Sequence, residues 1–194
     1  DGDDDNDDVL DGVDDCPTGD TGWIATSSTD HDSDGCQDSN EDLDDDNDGV
    51  ADLFPDLCQT GDLGWTSSPA NDHDGDGCRD STEDDDKDND GVPDIDDDCA
   101  DGDTGWSSNS GTDNDGDGCQ DASTEDDDDD NDGVLDVSDS CQAGNTGWTS
   151  NQPTTDHDED GCQDSSEDLD DDNDGVADSF PDECQTGDLR WTST

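Results

Sequence analysis

The stretch DHDSDGCQDSNEDLDDDNDGVADLFPDLC, residues 30–58, decides how this chain folds. Aspartates alternate with other residues and then meet a glycine, first from Asp30 to Gly35 and again from Asp44 to Gly49. Alternate side chains of a tightly curled backbone converge on one point, and the glycine permits the sharp turn that the curl requires. The stretch therefore predicts two consecutive loops, each able to surround a hard cation with carboxylate oxygens.

The composition of the whole chain excludes an ordinary apolar core. Among 194 residues, 67 are Asp or Glu and 3 are Lys or Arg, which gives a formal charge of -64 with 21% hydrophobic residues. Such a chain is normally a disordered polyanion, unless metal ions or disulfides replace the missing core. The negative charge also excludes nucleic acid as a partner, since phosphate binding needs clustered Lys and Arg.

Cysteine and tryptophan recur along the chain at regular intervals. The nine cysteines are 20 to 22 residues apart, and the five tryptophans are 41 to 43 residues apart, each seven residues after a cysteine. We expect tandem repeats of this length, with two acidic loops in each. The predicted repeats are residues 1–41, 42–83, 84–125 and 126–167, followed by a partial repeat at 168–194. Because the sequence stops within a repeat, we expect it to be a window on a longer array.

Both loops of a repeat follow the twelve-position calcium template, in which oxygen ligands fall at positions 1, 3, 5, 7, 9 and 12 and glycine at position 6. We call the first loop of each repeat, with valine at position 7, the A loop, and the second, with cysteine there, the B loop. The predicted acidic ligands of loops A1 to A5 are Asp3, Asp5, Asp7, Asp11 and Asp14; Asp44, Asp46, Asp48, Asp52 and Asp56; Asp86, Asp88, Asp90, Asp94 and Asp97; Asp128, Asp130, Asp132, Asp136 and Asp139; and Asp170, Asp172, Asp174, Asp178 and Asp182. Those of loops B1 to B4 are Asp30, Asp32, Asp34, Asp38 and Glu41; Asp72, Asp74, Asp76, Asp80 and Glu83; Asp113, Asp115, Asp117, Asp121 and Glu125; and Asp156, Asp158, Asp160, Asp164 and Glu167.

Four loops depart from the template. An inserted residue moves the last acid of three of them to Asp56, Glu125 and Asp182. Loop A1 has Asp8 at position 6, where glycine is expected. Aspartate can reach the backbone angles that this position needs, so the loop is retained as a predicted site.

The charge count indicates more ions than loops. Nine loops with one Ca²⁺ each would neutralise only 18 of the 64 negative charges, and bare carboxylates at close range repel strongly enough to unfold so small a unit. We therefore expect more than one calcium ion per loop at many sites. The predicted extra ligands are Asp45, Asp85, Asp127 and Asp171. Magnesium fits less well, because it prefers few protein carboxylates and keeps its waters.

Loops of the form DNDGVPDIDDDC (88–99) and DHDGDGCRD (72–80), alternating along essentially the whole chain, resemble the thrombospondin type 3 repeat. The resemblance implies a backbone wrapped around a string of calcium ions, few regular elements and disulfides between neighbouring cysteines. It also implies a calcium-dependent rod in an extracellular or cell-surface protein. The chain departs from the family pattern in its longer linker with tryptophan, such as CQTGDLGWTSSPAN (58–71).

Two disulfide registers are compatible with the cysteine spacing. The favoured register crosses the tryptophan linker, which has no calcium to order it, and the alternative crosses the A loop, as in Cys36 with Cys58. The favoured pairs are Cys16–Cys36, Cys58–Cys78, Cys99–Cys119 and Cys141–Cys162. Either register places the chain in an oxidising compartment, and we expect it outside the cell or on its surface.

The remaining aromatic and histidine residues predict little chemistry. We expect each tryptophan to cover backbone and a disulfide as a miniature core, in preference to a glycan-binding role. His31, His73 and His157 occupy position 2 of their B loops, and we expect them to face solvent. Short extended pieces are expected around GWTS at 147–150.

The expected fold is an irregular, disulfide-stapled rod of tandem calcium loops with little regular secondary structure. The expected function is structural, as a calcium-rigidified extracellular stalk or filament segment. The alternatives are a calcium-dependent adhesin or matrix-binding module and a calcium-sequestering acidic protein. Expected partners are calcium ions and either further copies of the chain or extracellular matrix and cell-surface ligands. The sequence contains no 18-residue apolar run of the kind that predicts a membrane-spanning segment. It also contains no arrangement of nucleophile and base of the kind that predicts an enzyme.

Overall fold

The computed structural model describes residues 2–179 and 184–187. The chain divides into two compact units, Asp1–Asp88 and Asn89–Thr194. Neither unit contains a helix or a strand in its described residues, where turns and bends follow one another. This confirms the predicted irregular fold. The extended pieces expected at 147–150 do not form strands; Ser150 instead donates one backbone hydrogen bond, to the Asp132 carbonyl at 2.8 Å.

Two left-handed residues give each acidic loop its curl. In loop A2 they are Asn47 at position 4, with φ of 54°, and Gly49 at position 6, with φ of 98°. Asparagine and glycine enter this region at the least steric cost. Asp8 takes position 6 of loop A1 with φ of 81°, as expected from the tolerance of aspartate. The sequence template named position 6 but missed position 4, where Ser33 and Glu159 are also left-handed.

Each loop is closed at its neck by the aspartate at position 9. In loop A2 the Asp52 N–H donates to the Leu43 carbonyl at 2.9 Å. The Asp52 carboxylate accepts from the Asp45 N–H at 2.9 Å. Loop B1 repeats the second contact, from the His31 N–H to Asp38 at 3.0 Å. The position 9 acids therefore hold the two ends of the loop together.

Four disulfides join the two loops of a repeat and confirm the register across the tryptophan linker. They are Cys16–Cys36, Cys58–Cys78, Cys99–Cys119 and Cys141–Cys162. Beside the second of them, the Leu57 N–H donates to the Asp76 carbonyl at 2.8 Å, so the A loop and the B loop meet back to back. Among the described cysteines, Cys184 is the one outside a disulfide, and it is exposed.

Aspartates and half-cystines occupy the positions that apolar residues fill in ordinary domains. The most deeply buried side chains are Asp7, Asp30, Asp46, Asp48, Asp72, Asp88, Asp90, Asp113, Asp130, Asp132 and Asp156. Among the described residues, the buried apolar side chains are half-cystines and Trp65, which is 9% exposed. The Arg79 guanidinium lies 5.9 Å from the centre of the Trp65 ring. The interior therefore consists mainly of groups that carry charge in water.

The side chain at position 2 of a B loop, which was expected to face solvent, makes a hydrogen bond to the following repeat of the same unit. His31 is half-buried, and its Nε2 lies 2.9 Å from the Gly61 carbonyl in the following repeat. Asn114 takes the same place in the second unit and donates to the Gly144 carbonyl at 3.2 Å. His73 and His157 are also half-buried, so the expectation of solvated histidines is wrong for all three. Position 2 faces the next linker because repeat 1 packs on repeat 2 in the first unit and repeat 3 packs on repeat 4 in the second.

Candidate metal centre

The A loops gather carboxylate oxygens at one point. In loop A2 one oxygen each of Asp44, Asp46 and Asp48 lies within 4.8 Å of the others. In loop A1 the oxygens of Asp3, Asp5 and Asp7 lie equally close to one another. The backbone holds these acids in place: the Val50 N–H donates to Asp48 Oδ1 at 2.6 Å. One oxygen of the carboxylate is thereby oriented by its own loop.

Three acids in each of loops A2 and A4 have one carboxylate oxygen that makes no hydrogen bond within the described structure. In loop A2 this holds for Asp44 Oδ1, Asp48 Oδ2 and Asp56 Oδ2, all of them buried. In loop A4 the three equivalent atoms are also buried without a hydrogen-bond partner: Asp128 Oδ1, Asp132 Oδ2 and Asp139 Oδ2. A buried carboxylate oxygen without a partner is costly and rare. Its recurrence at positions 1 and 5 and at the last acid of both loops indicates a ligand that binds all three.

The inserted residue in loop A2 does not displace its last acid from the group. The Asp56 carboxylate accepts from the Cys58 N–H at 2.7 Å. Burial, and then the charges of Asp46, Asp52 and Asp44, raise the pKa of Asp56 to about 6. Asp56 is therefore close enough to the other acids of loop A2 for their charges to act on it, despite the inserted residue. Its counterpart Asp182 lies outside the described residues.

Burial and crowding make the ionised A loops unfavourable on their own. Burial raises the pKa of Asp48 to about 6, with Asp46, Asp56 and Asp44 adding to the effect. Burial and the neighbouring Asp132 raise the pKa of Asp130 to about 7. A bound divalent cation would reverse this balance, because an opposite charge at close range favours the ionised form.

The B loops use their first acid differently. Asp72 is fully buried, and its carboxylate accepts from the Gly75 N–H at 2.8 Å, from the Asp76 N–H at 3.1 Å and from the Ser67 hydroxyl. Ser150 donates in the same way to Asp156 at 2.6 Å. One oxygen each of Asp72, Asp74 and Asp76 still lies within 4.8 Å of the others. The first acid thus shapes the B loop and remains within its oxygen group.

An asparagine from the next A loop meets the other two acids of a B loop. The Asn131 amide donates to Asp117 at 2.9 Å and also to Asp115. Burial and the neighbouring Asp117 raise the pKa of Asp115 to about 6. Asn173 repeats these contacts with Asp158 and Asp160. Asn131 and Asn173, at position 4, therefore dock loops A4 and A5 on the preceding B loops.

The glutamates at the end of the B loops reach the tryptophan linker. Glu83 Oε1 accepts from the Asp62 N–H at 2.7 Å. Glu41 accepts from the Asp20 N–H with both oxygens, at 3.0 and 2.8 Å. Glu125 accepts from the Asp103 N–H at 2.8 Å, and Glu167 from the Asn145 N–H at 3.0 Å. These predicted ligands thus lie between the B loop and the linker of their own repeat.

A third kind of acidic group lies where a B loop passes into the next A loop. One oxygen each of Asp38, Asp42 and Asp45 lies within 4.8 Å of the others. Asp45 was among the predicted extra ligands, whereas Asp42 was missed. The missed signal is an Asp directly after the last Glu of every B loop, at 42, 84, 126 and 168. Asp85 and Asp127, also predicted as extra ligands, are exposed.

The donor set of these groups fits a hard cation. The acidic groups named above offer carboxylate oxygens alone, without histidine nitrogen or thiolate. Oxygen-only coordination by several carboxylates on a flexible loop suits Ca²⁺, whereas Zn²⁺ prefers nitrogen and sulfur and Mg²⁺ keeps more of its waters. When bound, the ion would supply the positive charge that the buried oxygens need.

No protein-family model matches the chain, and no curated protein sequence matches it. Within the described residues there is no helix with the length and apolar character needed to cross a membrane.

Proposed function

We propose that the protein is an extracellular calcium-binding structural protein, built from repeats similar to the thrombospondin type 3 repeat, whose fold is held by calcium ions and disulfides. The observation that carries the proposal is the set of buried carboxylate oxygens without a hydrogen-bond partner at the same positions of loops A2 and A4. The four disulfides support an oxidising location. The role is structural, because the acids that could serve catalysis stand in ligand positions.

Calcium binding and folding would be one equilibrium in this chain. The formal charge is -64, and the buried side chains are mainly aspartates. Without bound cations, these charges favour an expanded coil. Because the sites form only in the folded chain, the free energy of calcium binding stabilises the fold directly. Calcium would thus stiffen the repeats into a segment of a stalk or filament.

Self-association of the chain is supported by apolar side chains on the A loops. Phe54 is 91% exposed and Val137 is 92% exposed. Leu10, Leu53, Ile95 and Leu135 are also exposed. Side chains of this kind at similar places in successive repeats offer a periodic surface for lateral contact between copies. A filament is therefore favoured over a monomeric adhesin and over simple calcium sequestration.

Small-angle scattering with calcium and with EDTA tests the coupling of binding and folding. We expect a compact species in calcium and a markedly larger radius of gyration after chelation, with the disulfides intact. Magnesium at equal concentration serves as the comparison and should compact the chain less. The variant Asp132→Asn, with Asp127→Asn as the exposed control, should need more calcium for compaction. Identical profiles in calcium and EDTA would refute the proposal.

Electron microscopy and sedimentation in calcium test the filament. Assembly into fibres that is weakened by Phe54→Ser, with calcium binding unchanged, is the expected result. A protein that stays monomeric at high concentration would instead favour the adhesin alternative.

A further inference from the structure

The acidic group between a B loop and the next A loop recurs in three places, which we call junctions. The first contains Asp38, Asp42, Asp45 and Asp52, and the second contains Asp121, Asp126, Asp129 and Asp136. The third contains Asp164, Asp168, Asp171 and Asp178. In each, the N–H of the third residue donates to the fourth: Asp45 to Asp52 at 2.9 Å, Asp129 to Asp136 at 3.1 Å, and Asp171 to Asp178 at 3.4 Å.

The junction acids have the features of a ligand site beyond their mutual proximity. Asp45 is 8% exposed, and its Oδ1 makes no hydrogen bond within the described residues. The same holds for Asp126, also 8% exposed, through its Oδ2. Asp129 Oδ1 and Asp171 Oδ1 are likewise buried without a partner. The first junction thus gathers carboxylate oxygens around one point, and the second and third repeat its acids and its unpartnered buried oxygens, which a bound cation would satisfy.

One junction differs from this pattern by a reversal of charge. After loop B2 the sequence reads Glu83-Asp84-Asp85-Asp86-Lys87, against Glu41-Asp42-Leu43-Asp44-Asp45 after loop B1. Asp80 and Asp84 stand at the positions of Asp38 and Asp42, but Lys87 stands at the position of Asp45. Lys87 is half-buried. It is one of only three basic residues in the chain.

We propose that Lys87 serves as a tethered cation, whose ammonium group replaces the divalent ion that the other junctions bind beside Asp45, Asp129 and Asp171. This inference rests on the proposed calcium-binding function. The junction after loop B2 would accordingly bind one ion fewer than each of the other three.

The charge and the chemistry of the lysine side chain both support this assignment. Lysine in place of aspartate removes one oxygen ligand and adds a positive charge that repels a second cation. An ammonium group offers three donors on a flexible stem, so it can neutralise the carboxylates of Asp80 and Asp84 without a metal. Neutralisation at this junction would then be independent of calcium concentration. Chelation should leave the carboxylates of Asp80 and Asp84 neutralised after the other junctions have lost their ions.

Native mass spectrometry in calcium tests the inference by counting bound ions in the intact, oxidised chain. Lys87→Asp should bind one ion more than the wild type, and Asp45→Lys should bind one ion fewer. Lys87→Arg should keep the wild-type count, because it preserves the positive charge. Asp85→Asn is the matched control: it removes one exposed charge two residues away and should leave the count unchanged.

The variants separate this inference from the proposed function. If the wild type binds calcium and both Lys87→Asp and Asp45→Lys bind the same number of ions as the wild type, the tethered-cation inference is wrong and the proposed function stands. A wild type without bound calcium would overturn the proposed function and this inference with it. If Asp45→Lys does not fold, Asp129→Lys tests the same loss of one ion in the second unit. An unchanged number of bound ions in that variant would contradict the inference.

Discussion

The carboxylate of Asp56 lies over Gly77, with its Oδ1 2.5 Å from the place where a β-carbon on Gly77 would stand. Asp56 is the last acid of loop A2, and Gly77 is position 6 of loop B2. The same relation joins Asp14 to Gly35, Asp97 to Gly118 and Asp139 to Gly161. Glycine at position 6 of a B loop therefore has two causes: a left-handed backbone and the close approach of the acid from the preceding A loop.

Gly77→Ala should destabilise the calcium-loaded protein and weaken calcium binding. The φ of Gly77 is 83°, which costs an alanine about 1–2 kcal/mol, and the added methyl group displaces Asp56 from its loop. We expect a lower thermal midpoint in calcium and a higher calcium concentration for half-maximal compaction. The control is Gly12→Ala, because a β-carbon there meets nothing within 4 Å. Equal midpoints for the two variants would contradict the close-approach argument.

Removing the Cys58–Cys78 disulfide should lower stability without abolishing calcium binding. The bridge closes a sequence separation of 20 residues, which corresponds to about 3 kcal/mol in the chain-entropy model. The double variant Cys58→Ser, Cys78→Ser should therefore unfold at lower temperature and need more calcium to fold. Calcium titration followed by circular dichroism measures both effects. An unchanged calcium midpoint would show that the linker is ordered without its disulfide.

Without calcium, the compact state should be favoured by acid. Burial raises the pKa of Asp45, Asp129 and Asp158 to about 7, against about 3.9 in an unfolded chain. The folded state therefore binds more protons, and this contribution to stability is complete below about pH 4 and is lost as the pH rises to 7.

Scattering in EDTA across this range should accordingly show compaction on acidification. In calcium the dependence should reverse, because protons compete with the ion for the same oxygens. A radius of gyration in EDTA that stays constant from pH 4 to 8 would contradict the prediction.

Replacing Asn131 should weaken the contact between loop A4 and loop B3. Its amide donates to Asp115 and Asp117, and its φ of 53° suits asparagine. Asn131→Ala loses the hydrogen bonds, and Asn131→Asp adds a third negative charge at the same place. We expect Asn131→Asp to be the less stable of the two at low calcium and to recover at high calcium. Hydrogen exchange at residues 113–132 would measure the local loss of protection, with Asn109→Ala as an exposed control.

Local features of the fold were predictable because they depend on neighbouring residues. The alternation of Asp with a glycine at position 6 predicts the curl at Asp44 to Gly49, and the structure shows it. The absence of helix and strand follows from the same composition. The disulfide register was predicted from the need to order the linker, yet the cysteine spacing alone left the pairing of Cys36 with Cys58 open. The back-to-back packing of the A loop on the B loop decides between them.

The sequence by itself determined the curled acidic loops, the repeat length and the lack of an apolar core, because charge, spacing and backbone permissiveness are properties of short segments. Only the tertiary structure decided which acids meet across segments. It placed Asp42 beside Asp38 and Asp45, turned Glu83 toward the linker, brought the half-buried His31 against Gly61 and left Asp85 in solvent. These relations depend on how one loop docks on the next, through Asn47 and the disulfides. The distance along the chain between such residues does not specify their distance in space.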